Sequence, residues 1–231
     1  MRPPLAESGG ELPRATSVLA VCAHPDDESF GLGALLDSFV ERGAKVSVLC
    51  FTRGEASTLG PVGAELGELR RAELAAAARE LGIGRVELLD HPDGSLSCEP
   101  LERLAGEVAA AAREVDADLL VVFDEGGISG HPDHCRATEA ALSGAPGLAT
   151  LAWTIPRSVA GALNSQFGTA FVGRDEQEID AVLRVDRTRQ CRAIARHVSQ
   201  CDNNAVLESR LGLLGDTEHV RWLRPPGSEP S

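Results

Sequence analysis

Apolar and polar positions alternate in short blocks along the chain as far as Trp153. Brief apolar runs rich in β-branched residues predict strands, and longer segments with apolar residues at helical spacing predict helices. The predicted strands are Ser17–Cys22, Lys45–Thr52, Arg85–Leu89, Asp118–Phe123 and Leu148–Trp153. The predicted helices are Gly31–Arg42, Glu65–Leu81, Pro100–Val115 and Pro132–Ser143.

The order of these elements predicts the fold class. Strands that alternate with helices form βαβ units, so we expect an α/β fold with a Rossmann-like, mostly parallel sheet and helices on both faces. The near-continuous apolar strands are typical of a sheet covered on both sides. After Pro156 the pattern weakens, and it predicts two further strands, Thr169–Gly173 and Ala181–Asp186, and a helix over Thr188–His197.

The chain has 231 residues, enough for one well-buried core. We expect a single domain over residues 17–223, flanked by a flexible arm over residues 1–16 and a flexible tail over residues 224–231. No apolar run reaches the length of about 18 residues that a membrane span needs, and the N-terminus lacks the apolar segment of a secretory signal.

The net charge limits the classes of binding partner, and the cysteine content indicates the cellular compartment. The formal net charge is −13, which argues against nucleic acid and anionic membranes, because both require clustered Lys and Arg. The six cysteines form no C-x-x-C pair, and several lie in apolar runs. This pattern is typical of reduced, buried thiols and predicts a cytoplasmic protein.

Polar clusters follow four of the predicted strands. "AHPDDE" ends the first strand, "TRGE" the second, "DHPDG" the third and "DEGGISGHPDH" the fourth. Ligands of open parallel α/β sheets bind at the carboxyl ends of the strands, so we expect these four loops to meet along one edge.

Two of the clusters have the residue types of a metal centre. His24 and Asp27 are three residues apart across a turn, and His131 and His134 repeat that spacing at the start of a helix. One His and one Asp from the first loop, with one His from the second, make a two-His, one-carboxylate set. Such a set suits Zn²⁺ with an open coordination position, and it also accepts Fe²⁺.

The proposed ligand set leaves Asp26 and His131 beside the metal as non-ligands. A free carboxylate there can act as a general base, and a His can protonate a leaving group or hold an oxyanion. Asp133 could orient His131 through its ring nitrogen. A lone His at a strand end is usually a surface or structural residue, but two His-Pro-Asp motifs at two strand ends of one sheet favour the metal site.

"AHPDDE", followed later by "GHPDH", closely resembles the LmbE/PIG-L family of zinc-dependent de-N-acetylases. "TRGE", "RRAELAAAARELGI", "FDEGGISGHPDH" and "RAIARHVSQ" fall in the expected order, so the resemblance covers roughly Val18 to Cys201. Members remove acetyl groups from N-acetylglucosamine-type amino sugars or cleave related amides. The resemblance implies a hydrolase that releases acetate and a free amine from a small-molecule amino-sugar conjugate, and that can form homo-oligomers.

The resemblance also implies a role for each site residue. It places zinc on His24, Asp27 and His134. It makes Asp26 the general base, His131 the general acid or oxyanion-stabilising group, and Asp133 the partner of His131. It implies substrate contacts for Arg70 and Asp93, and Arg53 is a further candidate for binding a phosphate or carboxylate of the substrate.

Other functions stay open at this point. The enzyme could be an amidase or tailoring deacetylase acting on a thiol conjugate or a natural product, or the chain could be a non-catalytic metal-binding module. The intact Asp26 and His131 favour an enzyme, because a binder needs only the three ligands. The chain has no tyrosine, and Ser129 stands where the mycothiol-pathway branch of the family carries a catalytic Tyr.

Several further polar residues near these motifs have simpler interpretations. "GLGALL" resembles half of a dinucleotide-binding fingerprint, but Leu36 replaces its third glycine, which argues against NAD. We expect Glu28 to brace the first helix, and His91 and His197 to be structural. Asp124 and its neighbour Glu125 fit either a supporting position behind the site or a solvated loop.

Overall fold

The computed structural model describes residues 10–59, 64–202 and 204–228. Within them, seven strands form a single sheet in the order β3-β2-β1-β4-β5-β7-β6. The strands are β1 (Ser17–Cys22), β2 (Lys45–Thr52), β3 (Arg85–His91), β4 (Leu119–Phe123), β5 (Ala149–Thr154), β6 (Ala181–Arg184) and β7 (Thr217–Arg224). The first five are parallel, and β7 runs antiparallel to both β5 and β6.

Helices flank the sheet. They are α1 (Asp27–Phe30), α2 (Gly33–Glu41), α3 (Ala64–Leu81), α4 (Leu101–Glu114), α5 (Gly127–Gly130), α6 (Pro132–Gly144), α7 (Arg157–Phe167), α8 (Thr188–Ile194), α9 (Val198–Cys201) and α10 (Ala205–Leu214). The predicted α/β class with a mostly parallel sheet is confirmed. None of the described helices is long and apolar enough to cross a membrane.

The sheet separates two apolar cores. Successive side chains of a strand point to opposite faces, and in β1 Val18 and Ala20 join one core while Leu19 and Val21 join the other. The first core packs against α2, α3 and α7, and the second against α4 and α6. Both faces of the central strands are therefore covered, which explains why these strands are apolar throughout.

The structure corrects the prediction for Thr169–Gly173, which forms no strand. Its backbone N–H groups bond to a side chain and to a carbonyl oxygen of α5 instead of a neighbouring strand: Phe171 N donates to Asn164 Oδ1, and Val172 N donates to Ile128 O. The apolar residues that suggested a strand serve another purpose, because Phe171 lines the cavity described below.

Four elements in the last third were not predicted: α7, α9, α10 and β7. Two charged residues, Glu218 and Arg221, interrupt the apolar pattern of β7. Both have buried or half-buried partners: Glu218 pairs with Arg187, and Arg221 pairs with Asp124. Because these charged side chains are paired with distant residues, β7 can contain them inside the fold, and a search for apolar runs alone does not detect this strand.

The ends of the domain also differ from the prediction. Residues 1–9 and 229–231 lie outside the described part of the chain. The rest of the predicted arm packs on the domain, because Leu12 is only 4% exposed and Thr16 N donates to Asp118. Arg224, predicted to begin the tail, ends β7 and donates to two carbonyl oxygens, those of Ala145 and Leu142.

Candidate metal centre and catalytic site

The site lies where the sheet changes direction. From β1 the chain continues to β2 and β3 on one side, and β4 and β5 lie on the other. Loops that follow two such neighbouring strands diverge and leave a crevice at their carboxyl ends. Here the loops after β1 and β4 border a cavity of about 440 Å³ that is lined by residues of the His24 and His131 motifs.

Three side chains of these loops bring their donor atoms together. His24 Nδ1 lies 3.1 Å from His134 Nε2, and His134 Nε2 lies 3.2 Å from Asp27 Oδ1. Two nitrogen ligands about 2.0–2.1 Å from a tetrahedral zinc ion stand about 3.3 Å apart. The spacing therefore fits a shared metal ion, and the three residues form one of the groups able to hold one.

The ligand rings are oriented by hydrogen bonds on their far side. His134 Nδ1 donates to Gly127 O at 3.0 Å, which leaves the lone pair of Nε2 free for a metal. Gly127 has a φ of 66°, and a Cβ there would lie 2.9 Å from that of His134, so the loop requires glycine.

His24 is oriented by carboxylates. Its Nε2 lies 3.0 Å from Asp93 Oδ1 and 3.4 Å from Asp133 Oδ2. Asp27 is fixed from the backbone, since its Oδ2 accepts hydrogen bonds from Ala23 N and His24 N. Each of the three candidate ligands is thus held in place before any ion binds, which is a property of genuine metal centres.

The close contacts among these histidines and carboxylates shift the pKa values of the donor set. Burial alone would raise the pKa of Asp27, but His134 and His24 hold it well below its usual range. Burial alone would lower the pKa of His24, yet Asp133 and Asp93 raise it to about 10. A metal ion must therefore displace a proton from His24, so its affinity should fall as the pH falls.

Asp26 has an unusual backbone. Its φ is 132°, a conformation that residues other than glycine rarely adopt and that costs about 1–3 kcal/mol. Two contacts stabilise it: Asp26 N donates to Glu28 Oε2, and Asp26 Oδ2 accepts from Arg70 Nη2, both at 2.9 Å. Burial raises the pKa of Asp26 to about 6, although the Arg70 guanidinium lowers it.

Glu28 and His197 lie behind Asp26 as a fully buried pair. His197 Nε2 contacts Glu28 Oε1 at 2.7 Å, and the other oxygen of Glu28 accepts from Asp26 N. The expected bracing role of Glu28 and the expected structural role of His197 agree with these contacts. His197 comes from the loop between α8 and α9, which ties the last third of the chain to the first motif.

The two arginines predicted to bind substrate differ in their position relative to the cavity, since Arg70 lines it and Arg53 does not. Arg70 is 3% exposed and is held by Asp26 and by the carbonyl oxygens of Gly54 and Pro25, so it orients the candidate base. Arg53 does not line the cavity, because its guanidinium pairs with Glu68 on α3 at 2.9 Å. The sequence could not reveal either partner, since both contacts depend on how α3 packs against the loops.

Asp93, the third predicted substrate-binding residue, borders the cavity but faces the metal site. One carboxylate oxygen contacts His24, and the other accepts from Ala56 N at 2.9 Å. Asp93 thus has the position of an outer partner of a metal ligand, and its contact with a sugar hydroxyl stays a prediction.

Asp133 also departs from its predicted role. Its carboxylate does not contact the ring of His131; it accepts from Gly94 N and Leu96 N and faces His24. The link to His131 is made by the backbone, since Asp133 N donates to His131 Nδ1 at 3.2 Å and His131 thereby caps α6. In neutral His131 the proton then resides on Nε2, which is a donor next to the cavity.

The remaining polar residues support the surrounding structure. His91 is buried and contacts Glu107 at 2.7 Å, as expected of a structural histidine. Asp124 pairs with Arg174 and Arg221 beside Thr154, so of its two interpretations the structure favours the supporting one. Glu125 is exposed.

Asp93→Asn is expected to weaken metal binding by about 10- to 100-fold, the usual effect of losing the outer partner of a ligating histidine. Asparagine keeps the shape of the side chain and can still accept from Ala56 N, but it removes the negative charge next to His24. Titration of metal-free protein with Zn²⁺ in the presence of a competing chelator would measure the change. Asp90→Asn, an exposed position near the end of β3, just before the loop that carries Asp93, serves as the control and should leave the affinity unchanged.

Comparison with known proteins agrees with this description. The sequence profile of the PIG-L family, described as GlcNAc-PI de-N-acetylase, matches residues 19–145. A 1D-myo-inositol 2-acetamido-2-deoxy-alpha-D-glucopyranoside deacetylase of Kineococcus radiotolerans is 35% identical over 156 residues, which cover 54% of this chain and 43% of that protein. The chain thus spans about half the length of the curated relatives it matches.

Solved structures share the fold. The N,N'-diacetylchitobiose deacetylase of Pyrococcus horikoshii has a TM-score of 0.67 at 20% identity, over 91% of this chain and 84% of that one. The 4-carboxy-2-hydroxymuconate hydratase of Pseudomonas putida KT2440 also has a TM-score of 0.67, at 19% identity, over 93% of this chain and 98% of that one. Since the matched profile covers more than half of its residues, the chain belongs to the PIG-L family.

Proposed function

We propose that the protein is a metal-dependent hydrolase that removes the N-acetyl group from an N-acetylglucosamine-type amino-sugar conjugate and releases acetate and a free amine. One observation carries the proposal: a single cavity joins a two-His, one-Asp donor set to two further groups, Asp26 and His131, that the donor set does not use. The deacetylase names of the Kineococcus and Pyrococcus proteins support the same reaction.

The proposed metal is Zn²⁺, with Fe²⁺ as the alternative that the same ligands accept. His24, Asp27 and His134 would hold it. When bound, such an ion supplies Lewis acidity, which polarises the amide carbonyl and makes water more acidic.

The protein side chains carry the proton transfers in this proposal. Asp26, held by Arg70 and by the turn before α1, accepts the proton of the attacking water. His131 donates from Nε2 to the oxygen of the tetrahedral intermediate, and the proton that Asp26 took from the water passes to the amide nitrogen, so that the amine leaves and Asp26 is ionised again. The strained backbone at Asp26 supports a catalytic role, because a merely structural carboxylate there would cost stability without a return.

We also propose that residues 17–223 form one deacetylase domain. Two long-range contacts support this: His197 contacts Glu28 next to the first motif, and Arg210 of α10 donates to Phe30 O. The segment beyond the family match therefore helps to build the site instead of forming a separate unit.

The fold alone does not decide the reaction, since a hydratase shares it. The deciding experiment measures acetate and free amine released from a panel of N-acetylglucosamine conjugates by metal-loaded and chelator-treated protein in parallel. We expect release from at least one conjugate, and only with metal. No release from any conjugate by protein with one bound metal ion per chain would overturn the proposal and favour a tailoring amidase or a non-catalytic metal-binding module.

A further inference from the structure

Arg210, on α10, lines the same cavity as the metal ligands. Its Nη2 donates to Phe30 O at 2.7 Å, and its guanidinium carbon lies 5.2 Å from the centre of the Trp153 ring. Neither contact carries a negative charge. Nε is buried without a hydrogen-bond partner among the described residues, and Nη1 makes no hydrogen bond to them.

The other arginine of the cavity wall shows what is unusual here. Arg70 is paired with the carboxylate of Asp26, so its charge is compensated inside the protein. Within the described part of the chain, Arg210 forms no ion pair at all. A half-buried cation without an anion is unfavourable unless something else supplies the anion.

The Trp153 ring that packs against Arg210 is itself held in place by a hydrogen bond. Trp153 Nε1 donates to Glu218 Oε2 at 2.6 Å, and Glu218 also pairs with Arg187. Glu218 pairs directly with Arg187 and attracts Arg210 only from beyond ion-pair distance, while the Trp153 ring presents its face to Arg210, a favourable position for a guanidinium. Burial lowers the pKa of Arg210 to about 10, so it stays positively charged at neutral pH.

We propose that Arg210 binds an anionic group of the substrate, a phosphate or a carboxylate carried by the amino-sugar conjugate. This inference rests on the proposed function and adds a substrate class to it. The planar guanidinium can offer its unused N–H groups to two oxygens of such an anion, an interaction that is both strong and directional. A neutral sugar conjugate would offer Arg210 no anion with which to form an ion pair.

The test compares three probes: N-acetylglucosamine 1-phosphate, N-acetylmuramic acid and the neutral methyl N-acetylglucosaminide. Calorimetry gives the dissociation constant of each with metal-loaded protein, and acetate release gives kcat and KM. We expect at least one anionic probe to bind more tightly than the neutral one. Arg210→Gln should reduce that preference by about 10- to 100-fold, mainly through KM, since one hydrogen bond to a charged group is lost. The anionic probe that binds more tightly than the neutral one shows whether Arg210 prefers a phosphate or a carboxylate.

Arg224→Gln is the matched control. Arg224 is also half-buried and, among the described residues, donates only to backbone carbonyl oxygens. It does not line the cavity, so the preference should be unchanged. Arg210→Lys keeps a charge without the planar fork, and it should retain part of the preference. It also keeps the test decisive if Arg210→Gln fails to fold.

The outcomes separate the two proposals. Equal affinity for charged and neutral probes, or an equal preference in the wild type and both Arg210 variants, overturns the anion site even if acetate is released. An anion preference that depends on Arg210 without acetate release from any probe leaves the anion site standing and overturns the proposed deacetylation.

Discussion

Asp26→Asn should lower kcat by about 100- to 10,000-fold, the range that a general base contributes, while the bound metal stays at the wild-type level. Asparagine has the same shape and can still accept from Arg70, so the strained turn should persist. It cannot accept the proton of the attacking water. Because Asp26 contacts Glu28 and Arg70 and not the donor atoms of the metal set, we expect loss of turnover without loss of the ion.

The measurement combines metal content by elemental analysis with acetate release from the most active conjugate of the panel. Asp27→Asn is the matched comparison, because it alters the neighbouring carboxylate that belongs to the donor set. We expect Asp27→Asn to lose both metal and activity. If Asp26→Asn loses the metal and Asp27→Asn keeps it, the two aspartates have been assigned the wrong way round.

The sequence predicts the loops that carry the candidate ligands because the residues of each motif lie only three positions apart along the chain. His24 and Asp27 share one turn, and His131 and His134 share the start of one helix, so spacing alone brings each pair together. The parallel direction of the first five strands is equally accessible, since predicted helices separate these strands along the chain and the inner strands are nearly continuously apolar.

Contacts between distant segments could not be predicted in the same way. Asp93 and Asp133 come from different loops, and only the folded chain shows that both face His24. Arg70 carries no local sign that its partner is Asp26. Arg210 lies in a helix that the apolar pattern did not reveal, beyond the segment that resembles the family.

The support of Asp26 explains why so much of the chain is needed for a small site. A φ of 132° has to be stabilised by the surroundings. Glu28 of α1 and Arg70 of α3 contact Asp26 directly, and His197, from the loop after α8, holds Glu28 in place. His197 belongs to the last third, so the candidate base depends on the whole fold.

The second large effect concerns the two histidines of the second motif. Loss of an outer partner of a ligand typically weakens metal binding by about 10- to 100-fold. His134→Ala should weaken it by more than that, because it removes a donor atom itself. Activity should be lost together with the metal. His131→Asn should retain the metal and lower kcat by about 100- to 1,000-fold, the usual cost of losing an oxyanion donor.

Asparagine is chosen at position 131 because it can still cap α6 by accepting from Asp133 N, which separates the chemistry of the ring from the stability of the helix. Metal content and acetate release would be measured for both variants, with thermal unfolding as the check on folding. Loss of metal in His131→Asn with full metal in His134→Ala would exchange their roles. That exchange would move the donor set to the second group of candidate ligands, His24, His131 and Asp133.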